Sequence, residues 1–225
     1  MFRPPPIEIH FPGLSPYYAS NRRMTISDEK QEELIQKIID FRDNQNMALP
    51  EKITEALDNR KKFVHNIDDY MCHPNNFLKD DYFDLIKTMI ETCPEFLQPT
   101  VFRSMLPIHH ATMVIMARGP NSGLKFMLLF ANVALRHDIE GKESRGYLLT
   151  RSRLHYIALQ MVCKISVYEA LKENDPPLFF TSDILEHKLV HSQALRFSID
   201  ILEYFFNLEP SCIQQTNDDN ELPIH

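Results

Sequence analysis

Glycine is scarce in this chain, where it occupies only five of the 225 positions. Tight turns use glycine wherever the backbone needs a positive φ, so a protein rich in β-turns would contain more of it. No segment alternates apolar and polar residues in the way that a half-buried strand does. Hydrophobic residues make up 44% of the chain and charged residues 24%, which is typical of a globular protein. These features predict an all-α fold.

Long apolar runs and basic clusters are also missing. The most apolar stretch, residues 126–135, is about half as long as a helix that crosses a bilayer. The first residues lack the apolar core of a secretory signal. The formal net charge is −7, and no block of basic residues offsets it locally. We therefore expect neither a membrane nor a nucleic acid as a partner.

The chain contains four widely spaced cysteines and no paired CxxC motif. They are Cys72, Cys93, Cys163 and Cys212. Such spacing is typical of reduced thiols in an intracellular protein. We expect a cytoplasmic or nuclear location.

Three regions follow from the pattern of prolines and apolar residues. Residues 1–24 hold five of the fifteen prolines, which predicts an extended leader that either packs on the body or serves as a docking peptide. Residues 25–82 are predicted to form a helical extension or decayed repeats, and residues 83–225 a set of helix pairs. Helical periodicity predicts helices over about 27–43, 50–69, 80–92, 109–118, 124–137, 154–173 and 183–208. The last of these could split near His191.

An internal repeat is the most specific signal in the sequence. Residues 84–109 align without a gap with residues 200–225, and eight of the 26 positions are identical, whereas composition alone would give about one or two. Each copy contains an apolar helical stretch that a proline stops, then a connector, and then Leu-Pro-Ile-His. The proline of that motif suits the first turn of a new helix. The chain therefore repeats a unit of helix, connector and helix.

These motifs resemble those of the ankyrin-repeat family. In that family an Asn-x-x-Gly-x-Thr-Pro-Leu-His finger precedes the first helix of each antiparallel pair. Asn217, Asn220 and residues 222–225 fall on this pattern, residues 106–109 match it a second time, and residues 152–155 match it more weakly without the proline. The copies are spaced about 46 and 70 residues apart instead of near 33, and most of the expected glycines are absent. The resemblance covers residues 83–225, with the last repeat incomplete.

The resemblance implies an α-solenoid of antiparallel helix pairs with short finger connectors. It implies that His109 stabilises its turn through the ring nitrogens, and that a partner protein binds on a concave face of finger tips and first helices. The expected contact residues are Arg103, Ser104, His110, Met113, Lys142, Glu143, Arg145, Asp218 and Asp219. The alternative function is that of a helical regulatory or adaptor portion of a larger enzyme whose catalytic domain lies outside this chain.

Two patterns of reactive residues could indicate a metal site or a catalytic site. His187 and His191 are four residues apart and would share a helix face, but Lys188 stands where an HExxH motif has its glutamate, and no third ligand is indicated. Cys72 and His73 are sequence neighbours, and adjacency does not place a base against a thiol. We expect no metal site, no cofactor and no catalytic residue in this chain.

Overall fold

The computed structural model describes residues 25–73, 75–76, 82–98, 105–138, 144–151, 156–194, 199–217 and 219–223. Every named element in these residues is a helix, and the one β-type contact there is an isolated bridge between Arg151 and Ile157. The prediction of an all-α fold is thus confirmed. The predicted leader, residues 1–24, lies outside the described residues. None of the described helices is long and apolar enough to cross a membrane.

Eleven α-helices are present in these segments. They are α1 (Asp28–Gln45), α2 (Glu51–Asp58), α3 (Phe63–Met71), α4 (Phe83–Thr92), α5 (Pro107–Arg118), α6 (Pro120–Arg136), α7 (Ala158–Met161), α8 (Ile165–Glu173), α9 (Asp183–Glu186), α10 (Leu189–Ala194) and α11 (Ile199–Leu208).

Local sequence explains both ends of α1. The hydroxyl of Ser27 accepts a hydrogen bond from the Lys30 N–H at 3.3 Å, which satisfies one of the free donors of the first turn. The helix ends at Asn46, whose φ of 47° is left-handed, a conformation that asparagine tolerates better than most residues. Lys30 also forms an ion pair with Glu95, just beyond α4. This contact joins α1 to the 3-10 helix that follows α4, and α1 itself packs on α4.

The prediction of a single helix over residues 50–69 is wrong. The chain leaves helical geometry at Asn59, with φ −114° and ψ 74°, and a short 3-10 helix at 60–62 leads into α3. Asparagine is a poor interior helix residue, so a break here costs little. The break lets α3 pack against α2, so that Ile53 and Phe63 are both fully buried.

The helix predicted over residues 154–173 is also interrupted. After the single turn of α7, residues 162–164 leave helical geometry, and α8 then begins at Ile165. The Tyr168 hydroxyl donates to the Leu159 carbonyl at 2.7 Å and lies 3.3 Å from the Val162 carbonyl. A side chain of α8 thereby contacts two carbonyls at the end of α7, of which that of Leu159 also accepts a hydrogen bond from the Val162 N–H.

The two copies of the internal repeat share the helical elements of their described residues. At the same offset of 116 residues, α4 matches α11, and each is followed by a short 3-10 helix that begins at a proline, Pro94–Leu97 and Pro210–Gln214. Matched side chains that are buried in both copies include Leu85 and Ile201, Met89 and Phe205, and Phe96 and Cys212. The similarity in sequence therefore reflects similar helical segments.

The contacts between helices form two series, which we call rows. The first row consists of α5, α7 and α10, in which α5 contacts α7 and α7 contacts α10. The second row consists of α4, α6, α8 and α11, each of which contacts the next. Within a pair, α5 and α6 pack together and are joined by Gly119 alone. A Cβ on Gly123 would lie 2.6 Å from the Ala111 carbonyl oxygen, so the two backbones approach closely.

Candidate functional site

Polar side chains at the start of α5, α7 and α10 bind backbone carbonyls of segments that follow later in the chain. Nδ1 of the buried His109 accepts a hydrogen bond from the Leu106 N–H at 3.1 Å, and Nε2 donates to the Thr150 carbonyl at 2.9 Å. The expectation that His109 holds its turn through both ring nitrogens is thus confirmed.

The same arrangement recurs at α7, where the residue is a glutamine. Gln160 accepts from the Ile157 N–H at 3.2 Å and donates to the His187 carbonyl at 2.9 Å. On α10, His191 Nε2 lies 2.9 Å from the Gln215 carbonyl. We call these three links the rungs. Residues 152–155, the predicted third finger motif, lie outside the described residues. The role of Gln160 was not predicted, because Ile-Ala-Leu-Gln at 157–160 lacks the proline and the histidine of the Leu-Pro-Ile-His motif.

His109 makes the stability of the protein depend on pH. Burial lowers the pKa of His109 from 6.5 to about 4. The hydrogen bond to the Thr150 carbonyl acts in the opposite direction and offsets only part of this shift. Between pH 6.5 and pH 4 the unfolded chain binds a proton that the folded chain does not, so acidification destabilises the fold. We expect this residue to contribute a loss of about 3 kcal/mol between pH 7 and pH 4. Urea unfolding followed by circular dichroism at several pH values measures it.

The matched control is His109→Gln, since Gln160 shows that a glutamine makes both bonds of a rung. We expect H109Q to remain folded at pH 7 and to lose this part of the acid sensitivity. His109→Ala should cost about 3 kcal/mol at pH 7, because it leaves a cavity and two unpaired backbone groups. If H109Q keeps the full pH dependence of the wild type, His109 is not its source.

A second polar cluster surrounds the fully buried Asp183. Oδ2 of Asp183 accepts from the Phe180 N–H at 2.7 Å and forms an ion pair with the Arg145 guanidinium. The guanidinium also stacks on the Phe180 ring, 4.5 Å from its centroid. Oδ1 of Asp183 lies 3.8 Å from His187 Nε2. Arg145 was predicted as a partner contact, and the structure gives it an internal role.

The turn that carries Arg145 is conformationally unusual. Arg145, Gly146 and Tyr147 have successive φ values of 45°, 63° and 70°. Left-handed geometry at non-glycine residues costs about 1–3 kcal/mol each and persists only where the surroundings hold it. Here the Arg145 ion pair and the burial of Tyr147 hold it. The turn thus depends on the Asp183 cluster for its shape.

His187 belongs to this cluster and not to a pair with His191. The pKa of His187 lies below its ordinary value, mainly because the ring is buried. The positive charge of Arg145 lowers the pKa further, and the negative charge of Asp183 offsets part of the overall lowering. His191 instead binds the Gln215 carbonyl. Asp183, Glu186 and His187 place one donor atom each within 4.8 Å of one another, which is a grouping that could hold a metal ion. This grouping was not predicted from the sequence, because the spacing of His187 and His191 suggested a different pair.

The remaining predicted contact residues divide into two groups. Arg103, Ser104, Lys142, Glu143 and Asp218 lie outside the described residues. His110 and Met113 lie on α5, and Asp219 is exposed in the turn before Leu222.

Exposed apolar residues lie on one side of α5, which ends at the exposed Arg118. Met113 and Met116 are 38% and 41% exposed, and Ala117 is exposed beside them. These residues are spaced three and four apart, so they form one stripe along the helix, with His110 one turn before Met113. By contrast, the exposed positions of α4 carry charge, at Asp84, Lys87 and Glu91. We call Met113, Met116 and Ala117 the methionine stripe.

Cys72 has the properties of a structural thiol. Burial raises its pKa to about 12, and nearby Asp69 raises it further. A thiol with so high a pKa forms almost no thiolate at neutral pH and is a poor nucleophile.

Comparison of the chain with protein-family models, with curated proteins and with solved structures finds no match.

Proposed function

We propose that this chain is a protein–protein interaction scaffold, resembling a divergent ankyrin-repeat protein, that binds a partner protein on its first-row helices. In this proposal the two rows of helices are the two sides of an α-solenoid of antiparallel pairs. The rungs support it because each links a first-row helix to the chain that enters the next unit. Repeat scaffolds depend on such nearest-neighbour links, since no unit buries its inner face alone.

The methionine stripe is the observation that carries the binding role. A helix that faces only water normally exposes charged residues, as α4 does. On α5 the exposed residues before Arg118 are instead Met113, Met116 and Ala117. The flexible thioethers of the two methionines can adapt to the shape of an apolar partner surface. His110 lies on the same side of the helix and offers a polar contact beside them. The proposed interface therefore centres on α5.

Substitution on the stripe tests the proposal. We expect Met113→Glu to weaken binding of the partner at least about tenfold, because burying a carboxylate in an apolar interface is costly. The melting temperature should not change, since Met113 is exposed. Proteins that co-purify with the chain from cells are quantified by mass spectrometry for the wild type and the variant.

Ile199→Glu provides the matched control. Ile199 is 76% exposed on the second-row helix α11, so the same change removes an exposed apolar side chain away from the stripe. The proposal requires that I199E keep the partners that M113E loses. Equal loss in both variants would assign the effect to general surface charge, and the proposed interface would be abandoned.

A further inference from the structure

The two oxygens of Asp183 have different surroundings. Oδ2 is held by the Phe180 N–H and the Arg145 guanidinium. Oδ1 is buried, accepts no hydrogen bond from any residue that the structure describes, and faces the similarly buried Nε2 of His187 at 3.8 Å. This distance is too long for a hydrogen bond. Two buried polar atoms that face each other without a bond are costly, which indicates that another group binds between them.

A third donor lies beside this gap. The one turn of α9 places Asp183 and Glu186 three residues apart, and His187 follows four residues after Asp183, so all three share one side of the turn. Their donor atoms lie within 4.8 Å of one another. Asp183 is buried and rigidly held, whereas Glu186 is exposed and can move toward a ligand. The cluster thus combines a fixed donor with an adjustable one.

The contacts of Asp183 match those of a carboxylate that ligates a metal. In metal sites the ligating carboxylate is oriented by hydrogen bonds from neighbouring groups. Arg145 and the Phe180 N–H orient Asp183 through Oδ2 and so direct Oδ1 toward His187. This orientation does not depend on an ion being bound.

We propose that Asp183, Glu186 and His187 bind a divalent first-row cation, for which Zn²⁺ is the best match, with water completing the coordination. One imidazole nitrogen and two carboxylate oxygens suit Zn²⁺, whereas Ca²⁺ and Mg²⁺ prefer oxygen alone. Neighbouring ligands of tetrahedral Zn²⁺ are about 3.3 Å apart. Oδ1 and Nε2 must therefore approach by about 0.5 Å, a small movement for the half-buried His187 side chain.

Charge sets the expected strength of binding. Arg145 neutralises one of the two carboxylates, and Arg151 also adds positive potential at His187. A dication therefore meets less attraction here than in a site made of free carboxylates. We expect a dissociation constant in the micromolar range. The site is separate from the methionine stripe, so its test does not decide the scaffold proposal.

Metal titration of the full chain without a histidine tag tests the site. Zn²⁺ binding is measured by calorimetry and Co²⁺ binding by visible absorption, and we expect one equivalent of each to bind and to raise the melting temperature. His187→Ala and Glu186→Gln should each weaken binding at least tenfold. Both should fold, as circular dichroism verifies, because Glu186 is exposed and because Gln160 binds only the backbone carbonyl of His187.

His65→Ala is the matched control, since His65 is an exposed histidine on α3. Unchanged binding in H65A together with its loss in H187A and E186Q supports the site. The proposal is overturned if no saturable binding occurs below about 1 mM, or if either H187A or E186Q binds as tightly as the wild type. In that case the gap between Asp183 and His187 holds water.

Discussion

Gly146→Ala is expected to destabilise the protein by about 4 kcal/mol. A Cβ at this position would lie 2.3 Å from the Ala131 carbonyl oxygen and 2.6 Å from the Ala131 Cα. Both atoms belong to the backbone of α6, so neither can move aside as a flexible side chain would. The φ of 63° adds strain for any residue with a Cβ. Urea unfolding at pH 7 measures the loss of stability.

Gly119→Ala separates the two causes. Gly119 also has a positive φ, 90°, but a Cβ there would have no atom within 4 Å. We expect this variant to lose about 2 kcal/mol from backbone strain alone. If G146A is no less stable than G119A, the contact with Ala131 does not restrict the turn, and the packing of this turn on α6 is looser than the distances imply.

Arg145→Met is expected to cost about 3–5 kcal/mol. The substitution keeps an apolar stem against Phe180 but leaves the buried carboxylate of Asp183 without its cation. The pKa of His187 should rise in this variant, because Arg145 lowers it and Asp183 raises it. Equilibrium unfolding gives the stability, and nuclear magnetic resonance of the His187 ring gives the pKa.

Asp183→Asn completes a double-mutant cycle for this pair. Asparagine can still accept from the Phe180 N–H, so D183N removes mainly the charge. We expect the double variant R145M/D183N to be clearly more stable than the sum of the two single losses predicts. Simple additivity would mean that Arg145 and Asp183 do not interact energetically. Arg145→Lys should be intermediate, since lysine keeps the charge without the planar guanidinium.

Prolines made several helix boundaries predictable. The stop predicted at Pro94 agrees with the end of α4 at Thr92, because a proline restricts the residue before it. Likewise, Pro107 begins α5. The end predicted at residue 208 agrees with the end of α11 at Leu208. Such signals are local in sequence, and a single chain is enough to read them.

The breaks at Asn59 and at residues 162–164 were not predictable in the same way. Both interrupt apolar patterns that continue with helical spacing, and each is stabilised by contacts made elsewhere in the fold. The Tyr168 hydroxyl, for example, binds carbonyls several residues earlier in the chain. The spacing of apolar residues shows which side chains can be buried, but it does not show which parts of the fold bury them. Tertiary contacts therefore decided these boundaries.

The Asp183 cluster shows the same limit for polar sites. Arg145 and Asp183 are 38 residues apart, and nothing in the sequence near either one indicates the other. The sequence suggested His191, one turn after His187, as the neighbour of His187. In the structure the neighbour is Asp183, one turn before it. By contrast, the role of His109 was expected from the family resemblance, because the motif that suggests it is contiguous.

The close approach at Gly123 limits how α5 can respond to a ligand. A Cβ at Gly123 would lie 2.6 Å from the Ala111 carbonyl oxygen and 2.8 Å from the Ile115 side chain, so little space is left for the two helices to slide past each other. The position of α5 against α6 is therefore closely held, and so is the position of the two exposed methionines relative to α6. Adaptation to different shapes falls to rotation about the bonds of the methionine side chains, while the helix that carries them stays in place.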